Sequence, residues 1–387
     1  MKPSPETIET TRKLVGFQTT ATDSNLPLID FVAERLAPYA QIRILPDPTG
    51  QKANLFASIG PEKKGGIILS GHSDVVPARN NDEWRHDPFD AGIVGDRLFG
   101  RGACDMKSFL GVVIGLAPKI AALPLKKPVH IAVSYDEEIG CIGVWGIADM
   151  IREEGLVFDG CVVGEPTLMA PIIGHKGKTS WLCEVHGRSA HSSLAPKGVN
   201  AVEIAAGLIS TIVELADFRR WNGPFDQSQD PPHSTLSTGP IAGGTQLNVV
   251  PDYCRFEFEM RYLPQDPPGP VIETIRAAAE RLEEEARRRA PEASIIIRET
   301  NAYPGFDIAG DAPFVRLIEK LSGHKSAGRV AFGTEAGIFA GLGIPTIVCG
   351  PGSITEAHIV DEYIALDQIA ECEAFVMALA ETLCRGD

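Results

Sequence analysis

Most of the candidate metal ligands and catalytic acids of this sequence follow the ends of predicted strands, and one of them, Asp105, begins a predicted helix. They are His72, Asp74, Asp105, Glu137, Glu138, Glu165 and His358. In open α/β sheets, ligands bind in the crevice outside the carboxyl ends of the strands, so one crevice could gather all of these side chains. Mixed imidazole and carboxylate ligands suit zinc, with cobalt or manganese as alternatives.

A crevice holding four carboxylates would suffer strong like-charge repulsion unless cations were bound there. The four are Asp105, Glu137, Glu138 and Glu165. Asp74 follows His72 by two residues, so in an extended segment both side chains point to the same side. We therefore expect the Asp74 carboxylate to accept the second ring N–H of His72 and to fix the orientation of that ring.

Each of these residues also has an ordinary structural explanation when it is taken alone. Asp105 could cap the helix that follows it, and His72 could be a hydrogen-bonded loop histidine. Glu137 and Glu138 could form a solvated turn, while Glu165 and His358 could be unremarkable loop residues. Their joint occurrence at strand ends is what favours a metal site.

The elements that must position these residues alternate between strands and helices, which is typical of an α/β domain with a mostly parallel sheet flanked by helices. We predict strands at 67–69, 129–135, 160–163 and 345–349, and helices at 7–16, 26–36, 106–120 and 365–383. Asp105 occupies the predicted N-cap of the third of these helices.

The middle of the chain changes to the order β-α-β-β-α-β, which is typical of a ferredoxin-like α+β module. Its predicted elements are 178–185, 201–215, 234–239, 254–262, 271–289 and 294–299, with a long proline-rich loop at 217–232. We therefore predict an inserted domain at 178–299, with the main domain built from 1–177 and 300–387.

Composition excludes several classes of protein. The 387 residues include 36 basic and 51 acidic side chains, and the formal charge of −15 disfavours nucleic acid as a partner. Neither a secretory signal nor an apolar run of about 20 residues is apparent, so we expect a cytoplasmic protein without a membrane partner. The eight cysteines lack CxxC spacing and are expected to be reduced thiols packed as small apolar groups.

Four segments together resemble the dinuclear zinc aminoacylase family, which includes acetylornithine deacetylases, succinyl-diaminopimelate desuccinylases and certain carboxypeptidases. The segments are 71–77, 100–107, 136–140 and 164–167. The resemblance extends in order over nearly the whole chain and includes the inserted domain. It implies a zinc-exopeptidase-like fold and a metal-dependent amidohydrolase.

The resemblance also implies a role for each candidate residue. Asp105 should bridge two zinc ions, one also bound by His72 and Glu165 and the other by Glu138 and His358. Glu137 would then be the general base, which takes a proton from the attacking water and passes it to the departing amine.

The inserted domain should, by the same resemblance, mediate a homodimer. His191 matches a histidine that reaches the active site of a partner subunit and could stabilise the oxyanion. Asn248 and Arg261 match positions that contact substrate in relatives, with a surface salt-bridge partner as the alternative for Arg261.

Segment 332–337 carries the best clue to the substrate, because it resembles the acetylornithine deacetylases within the family. It contains Gly333, Thr334 and Glu335, which are expected to bind substrate. We expect Glu335 to favour the side-chain ammonium of N-acetyl-L-ornithine, a substrate of arginine biosynthesis, and Arg261 to pair with its α-carboxylate. The alternatives are that Glu335 only braces its loop, and that the enzyme is a desuccinylase or a broader N-acyl amino-acid hydrolase. A non-catalytic metal-binding protein is the remote alternative.

Overall fold

The computed structural model describes residues 2–78 and 83–385. The chain divides into two compact units. The large unit contains the chain up to Gly174, Phe306–Arg329, and the chain from Thr334 onward. The inserted unit contains His175–Gly305 and Val330–Gly333.

The helices and strands are named in chain order. The helices are α1 (Pro5–Val15), α2 (Leu26–Leu36), α3 (Ser108–Gly115), α4 (Ala117–Ala121), α5 (Val144–Glu153), α6 (Ala201–Asn222), α7 (Gly269–Arg287), α8 (Pro313–Ser322), α9 (Ala336–Gly341) and α10 (Leu366–Thr382). The strands are β1 (Gln41–Pro46), β2 (Ala53–Ile59), β3 (Ile67–His72), β4 (Gly92–Val94), β5 (Arg97–Phe99), β6 (Val129–Ser134), β7 (Gly160–Pro166), β8 (Ile172–His175), β9 (Gly177–His186), β10 (Thr235–Gly243), β11 (Tyr253–Tyr262), β12 (Ser294–Tyr303), β13 (Phe306–Asp307), β14 (Gly328–Val330), β15 (Thr346–Gly350) and β16 (Tyr363–Ala365).

The described part of the large unit contains a nine-stranded mixed sheet in the order β1-β2-β6-β3-β7-β15-β8-β13, with β14 beside β8. Strands β6, β3, β7 and β15 are parallel and form its centre, whereas β1 and β2 are antiparallel to their neighbours. Every residue of β3 and β6 is buried, as expected for strands covered on both faces. The predicted fold class is confirmed. A smaller sheet pairs β16, β5 and β4.

Helix α3 lies against this sheet with every residue buried. The ring of Phe109 packs so closely on Gly164 that a Cβ atom added there would lie 2.1 Å from a ring carbon. Glycine at this position therefore lets the helix approach β7 directly before Glu165.

The predicted helix at 106–120 is helical over most of its length, but it begins at Ser108 and is divided into α3 and α4. Residues Ala103–Lys107 form an irregular turn, and Asp105 lies inside it with φ −120° and ψ 94°, so it does not cap a helix. Pro118 lies in the first turn of α4, where a proline is tolerated but cannot continue the hydrogen bonds of α3.

The inserted unit follows the predicted order, β9-α6-β10-β11-α7-β12, with the strands arranged β10-β11-β9-β12. All of its strand pairs are antiparallel. Burial alternates strictly along β9, so that Trp181, Cys183 and Val185 enter the core that the two helices cover. The ferredoxin-like arrangement is confirmed.

Two predicted bounds of the inserted unit differ from the structure. Helix α6 continues to Asn222, so the predicted loop at 217–232 is helical in its first part, in which Phe218 and Trp221 are exposed. Strand β12 continues to Tyr303 through a bulge, and the predicted boundary at 299/300 therefore falls inside a paired strand.

None of the helices among the described residues is both long and apolar enough to span a membrane. The cysteines are free thiols, and all are buried except Cys384, which is half-buried. This agrees with their predicted role as small packing groups.

Candidate metal centre

The first group of candidate ligands lies at the carboxyl ends of β3 and β7. His72 Nε2 lies 3.1 Å from Asp105 Oδ1 and 3.9 Å from Glu165 Oε1. All three residues are buried, with exposures of 1%, 5% and 4%. His72 Nδ1 donates to the backbone carbonyl of Asp74 at 2.9 Å, which leaves Nε2 directed at the two carboxylates.

The second group shares Asp105 with the first. His358 Nε2 lies 3.2 Å from Asp105 Oδ2 and 3.0 Å from Glu138 Oε1. In each group one ligand atom per residue lies within 4.8 Å of the others. The two oxygens of Asp105 therefore face different histidines, which is the geometry that a carboxylate bridging two cations requires.

Glu165 gives an independent sign that cations belong here. Its Oε1 is buried and has no hydrogen-bond partner among the described residues. A buried carboxylate oxygen without a partner is costly, whereas a cation bound between His72, Asp105 and Glu165 would satisfy it. The donor set of imidazole nitrogens and carboxylate oxygens fits zinc.

Electrostatics agree with this interpretation. Burial raises the pKa of Glu165 well above its usual value, and the nearby charge of Asp105 raises it further. Burial likewise raises the pKa of Glu138, although its hydrogen bond with His358 opposes the shift. Hydrogen bonds to Asp105 and Glu138 raise the pKa of His358 to about 10. The crowded negative charge therefore disfavours further ionisation of these carboxyl groups, and bound cations would offset that charge.

Asp74 differs in part from its predicted role. Its carboxylate lies 3.5 Å from His72 Nδ1, and the carbonyl of the same residue is the closer acceptor. The carboxylate oxygens instead accept the backbone N–H groups of Glu137 and Glu138, each at 3.1 Å. Asp74 thus orients the histidine through its backbone and holds the two-glutamate loop through its side chain.

Glu137 lies next to Glu138 in sequence but belongs to neither group of candidate ligands. It is half-buried, and burial raises the pKa of its carboxyl well above the usual value. The Cys141 thiol donates to Glu137 Oε1 at 3.4 Å. The preceding Asp136 has φ 54° and is anchored by Lys52, so the loop turns sharply at the start of the glutamate pair.

Glu335 corrects the sequence-based expectation. It is fully buried at the start of α9, where one oxygen accepts from Ser134 Oγ and the other from Ser70 Oγ at 3.1 Å. Both serines belong to the central strands, so the carboxylate ties α9 to the sheet and does not face a substrate ammonium. Thr334 is also buried, and its Oγ accepts the N–H of Ala336. These contacts favour the alternative that Glu335 braces its loop.

The inserted unit contains the other predicted residues. His191 is exposed and begins a 3-10 turn, with its Nδ1 2.8 Å from Ser193 Oγ. A backbone bridge pairs His191 with Val249, and Ser192 N donates to the carbonyl of Asn248 at 2.9 Å. His191 and Asn248 therefore lie on adjacent segments of this unit.

Arg261 is half-buried on β11, and its guanidinium donates to Tyr303 Oη at 2.9 Å and to Glu259 at 3.1 Å. The ring of Tyr303 also packs against Gly333, where an added Cβ would lie 2.2 Å from a ring atom. These contacts orient Arg261 within the inserted unit, and a role in substrate binding stays a prediction for both Arg261 and Gly333.

Two buried residues beside the centre, Arg101 and Glu362, were not predicted from the sequence to take part in the site. Glu362 accepts the backbone N–H groups of Cys104 and Asp105 and forms an ion pair with Arg101. The sequence did contain a signal for these two residues, because each lies near a candidate metal ligand. Arg101 precedes Asp105 by four residues, and Glu362 follows His358 by four residues. Only the folded chain shows that these two segments meet.

Comparison with known proteins supplies the family. Residues 68–382 match the model of peptidase family M20/M25/M40. The chain belongs to this family. Family membership confirms the resemblance and makes the protein a metal-dependent hydrolase of amide bonds.

Curated relatives match almost the full length of the chain. The acetylornithine deacetylase of Myxococcus xanthus is 34% identical and covers 97% of both chains. The acetylornithine deacetylase of Edwardsiella ictaluri is 33% identical and covers 94% of this chain and 92% of its own.

Solved structures share the fold at lower identity. Aminopeptidase PepT of Bacillus cereus has a TM-score of 0.74 at 20% identity and covers 98% of both chains. The M20 metallo-carboxypeptidase Sso-CP2 of Sulfolobus solfataricus has a TM-score of 0.75 at 18% identity, with 98% and 100% covered. The YXEP protein of Bacillus subtilis, a dinuclear metal-binding M20 peptidase, has a TM-score of 0.62 at 16% identity, with 97% of both chains covered.

Proposed function

We propose that the protein hydrolyses N-acetyl-L-ornithine to acetate and L-ornithine at a centre of two zinc ions. The observation that carries the reaction type is the shared Asp105, whose oxygens face His72 and His358 in two separate ligand groups. His72 and Glu165 would complete the first zinc site, and Glu138 and His358 the second. Cobalt or manganese are the alternatives to zinc, because the same nitrogen and oxygen donors bind them.

Two cations at such a centre supply Lewis acidity, which lowers the pKa of the attacking water and polarises the acyl carbonyl. Glu137 takes a proton from that water as its oxygen attacks the acyl carbon. The C–N bond then breaks, and Glu137 delivers the proton to the nitrogen, so that acetate and a free amine leave. The position of Glu137 suits this role, because Asp74 fixes its backbone and the Glu137 carboxyl belongs to neither ligand group.

His191 would donate a hydrogen bond to the oxyanion that forms during attack. Its exposed position at the start of a turn is compatible with contact to a second chain. A homodimer formed through the inserted unit, with His191 serving the partner's centre, is part of the proposal. So is a cytoplasmic location.

The choice of N-acetyl-L-ornithine is supported by the relatives from Myxococcus xanthus and Edwardsiella ictaluri, both acetylornithine deacetylases. Arg261 is a charged guanidinium oriented by Tyr303 and would pair with the α-carboxylate of the substrate. Glu335 no longer supports this choice, because it is fully buried. Succinyl-diaminopimelate and other N-acyl amino acids are the competing substrates.

The test is hydrolysis of N-acetyl-L-ornithine by the purified protein, compared with N-succinyl-diaminopimelate and N-acetyl-L-methionine. Each assay is run as purified, after chelation, and after zinc or cobalt is restored. We expect the highest kcat/KM for acetylornithine, its loss on chelation, and its return with metal. Preference for another substrate would refute the proposed specificity, and turnover that survives complete chelation would refute the metal centre.

A further inference from the structure

Glu362 is a fully buried carboxylate that binds the backbone at Asp105. Its Oε1 accepts the N–H of Cys104 at 2.9 Å and the N–H of Asp105 at 3.1 Å. Its Oε2 accepts from Arg101 Nη1 at 2.5 Å. The backbone carbonyl of Glu362 also accepts the N–H of Gly100 at 2.9 Å. Glu362 therefore contacts the segment 100–107, here called the Asp105 segment, both at its first residue and at Asp105.

The Asp105 segment needs such support because its backbone is irregular. Asp105 has non-helical φ and ψ angles, and Gly102 before it has φ 81°. A regular helix would fix a ligand through successive N–H to C=O bonds, which this turn lacks at Asp105. In this turn the hydrogen bonds from the backbone N–H groups to the Glu362 carboxylate fix the position of Asp105 instead. Such bonds to a carboxylate are stronger than hydrogen bonds between neutral groups.

Arg101 holds the Glu362 carboxylate in place through a buried ion pair. Only 3% of Arg101 is exposed, and its guanidinium lies 5.2 Å from the centre of the Trp84 ring. A buried ion pair adds little net stability compared with a well-packed apolar pair. Stability alone therefore does not account for a buried Arg101–Glu362 pair directly behind Asp105.

Glu362 also connects Asp105 to the second histidine of the centre. His358 precedes Glu362 by four residues, and β16 begins directly after Glu362. Strand β16 pairs with β5, with Tyr363 opposite Phe99. One continuous segment thus carries His358, binds the backbone of Asp105 and is aligned by strand pairing.

We propose that Glu362, held by Arg101, is a positioning residue that sets Asp105 for the cation it shares with Glu138 and His358. This inference rests on the proposed two-metal centre. Loss of the Glu362 carboxylate should weaken binding of one metal equivalent, because Asp105 and His358 no longer keep their relative positions.

The experiment is a titration of the chelated full-length protein with Co²⁺, followed by visible absorption and by metal analysis after gel filtration. The variants are Glu362→Gln, Glu362→Leu, and the double variant Glu362→Leu/Arg101→Met, which removes both buried charges. The matched control is Asp266→Asn, which disrupts a less deeply buried ion pair with Arg219 in the inserted unit. Melting temperatures of the chelated proteins are measured in parallel.

We expect Glu362→Gln to weaken one of two Co²⁺ equivalents by about tenfold to a hundredfold and to alter the absorption spectrum. The double variant should regain melting temperature relative to Glu362→Leu but not Co²⁺ affinity, since the amides of Cys104 and Asp105 stay without the carboxylate. Asp266→Asn should bind both equivalents like the wild type.

Wild-type affinity for both equivalents in Glu362→Gln would overturn the inference. So would a double variant that recovers stability and Co²⁺ affinity together, because the pair would then be only structural. A wild-type protein that fails to bind two equivalents would instead refute the proposed metal centre, whatever the variants do.

Discussion

One oxygen of the Asp74 carboxylate accepts the backbone N–H of Glu138 at 3.1 Å. The other oxygen accepts the backbone N–H of Glu137, also at 3.1 Å. Asp74 also provides the carbonyl that orients His72. One residue therefore fixes a histidine of the first ligand group, a glutamate of the second and the candidate base between them.

Replacement of Asp74 by asparagine should impair both metal binding and turnover. The amide offers one acceptor oxygen and an NH2 group, so one of the two backbone N–H groups would face another donor. We expect kcat/KM to fall by about tenfold to a hundredfold, with weaker Co²⁺ binding. The control is Asp159→Asn, because Asp159 also accepts a backbone N–H, that of Gly66. Equal losses in both variants would argue against a special role for Asp74.

Glu137→Gln should separate catalysis from metal binding. Glutamine keeps the shape of the side chain but cannot accept and return the proton, so kcat should fall by about 10² to 10⁴. Glu137 belongs to neither ligand group, and metal analysis should still find two equivalents. Retention of more than half of the wild-type kcat would mean that another group acts as the base.

Glu335→Gln should leave substrate preference unchanged, because the side chain is buried against Ser70 and Ser134. The kcat/KM ratio for N-acetyl-L-ornithine over N-acetyl-L-methionine should stay within about twofold of the wild-type ratio, since the buried contact costs stability rather than specificity. The measurements are this ratio and the melting temperature. A selective loss of acetylornithine turnover would restore the original interpretation of Glu335 as an ammonium-binding residue.

Metal loading should release protons at neutral pH. Without cations, hydrogen bonds to Asp105 and Glu138 raise the pKa of His358 to about 10, so at neutral pH this histidine carries a proton that metal must displace. Calorimetry in two buffers of different ionisation enthalpy should detect this release, and the release should decrease as the pH approaches 10. In His358→Asn the release should fall by about one proton. Loading without proton release would contradict the proposed exchange of protons for cations.

His130 should make stability depend on pH between about 6.5 and 4. Burial lowers its pKa to about 4, and its ring packs between Phe56 and Phe158. As the pH falls, His130 takes up a proton in the unfolded chain before it does so in the folded chain, so the free energy of unfolding decreases. The total decrease over this pH range is on the order of 3 kcal/mol.

Urea unfolding of the chelated protein at pH 7 and pH 5 measures that effect. We expect His130→Gln to lose less stability between the two pH values than the wild type does. The control is His186→Gln in the inserted unit. An unchanged pH dependence in His130→Gln would show that other groups cause it.

The fold class could be predicted from the sequence, and so could the set of candidate ligands, whose metal-binding role stays a prediction. Strands β3, β6 and β7 are short apolar runs, and the polar residues at their ends were visible by type and spacing. Since parallel strands bring their carboxyl ends to one edge, the local pattern was enough to expect His72, Glu138 and Glu165 at the same edge of the sheet. The order of the inserted unit was equally visible, because alternation along a half-buried strand is a local property.

The tertiary structure alone decided what each polar side chain contacts. Asp105 was expected to cap a helix, but its irregular turn is held by Glu362, which lies 257 residues further along the chain. Glu335 was expected to meet a substrate, but Ser70 and Ser134 enclose it. Sequence patterns report periodicity and residue type over a few turns, whereas hydrogen-bond partners and burial depend on contacts between distant segments, which only the folded chain brings together.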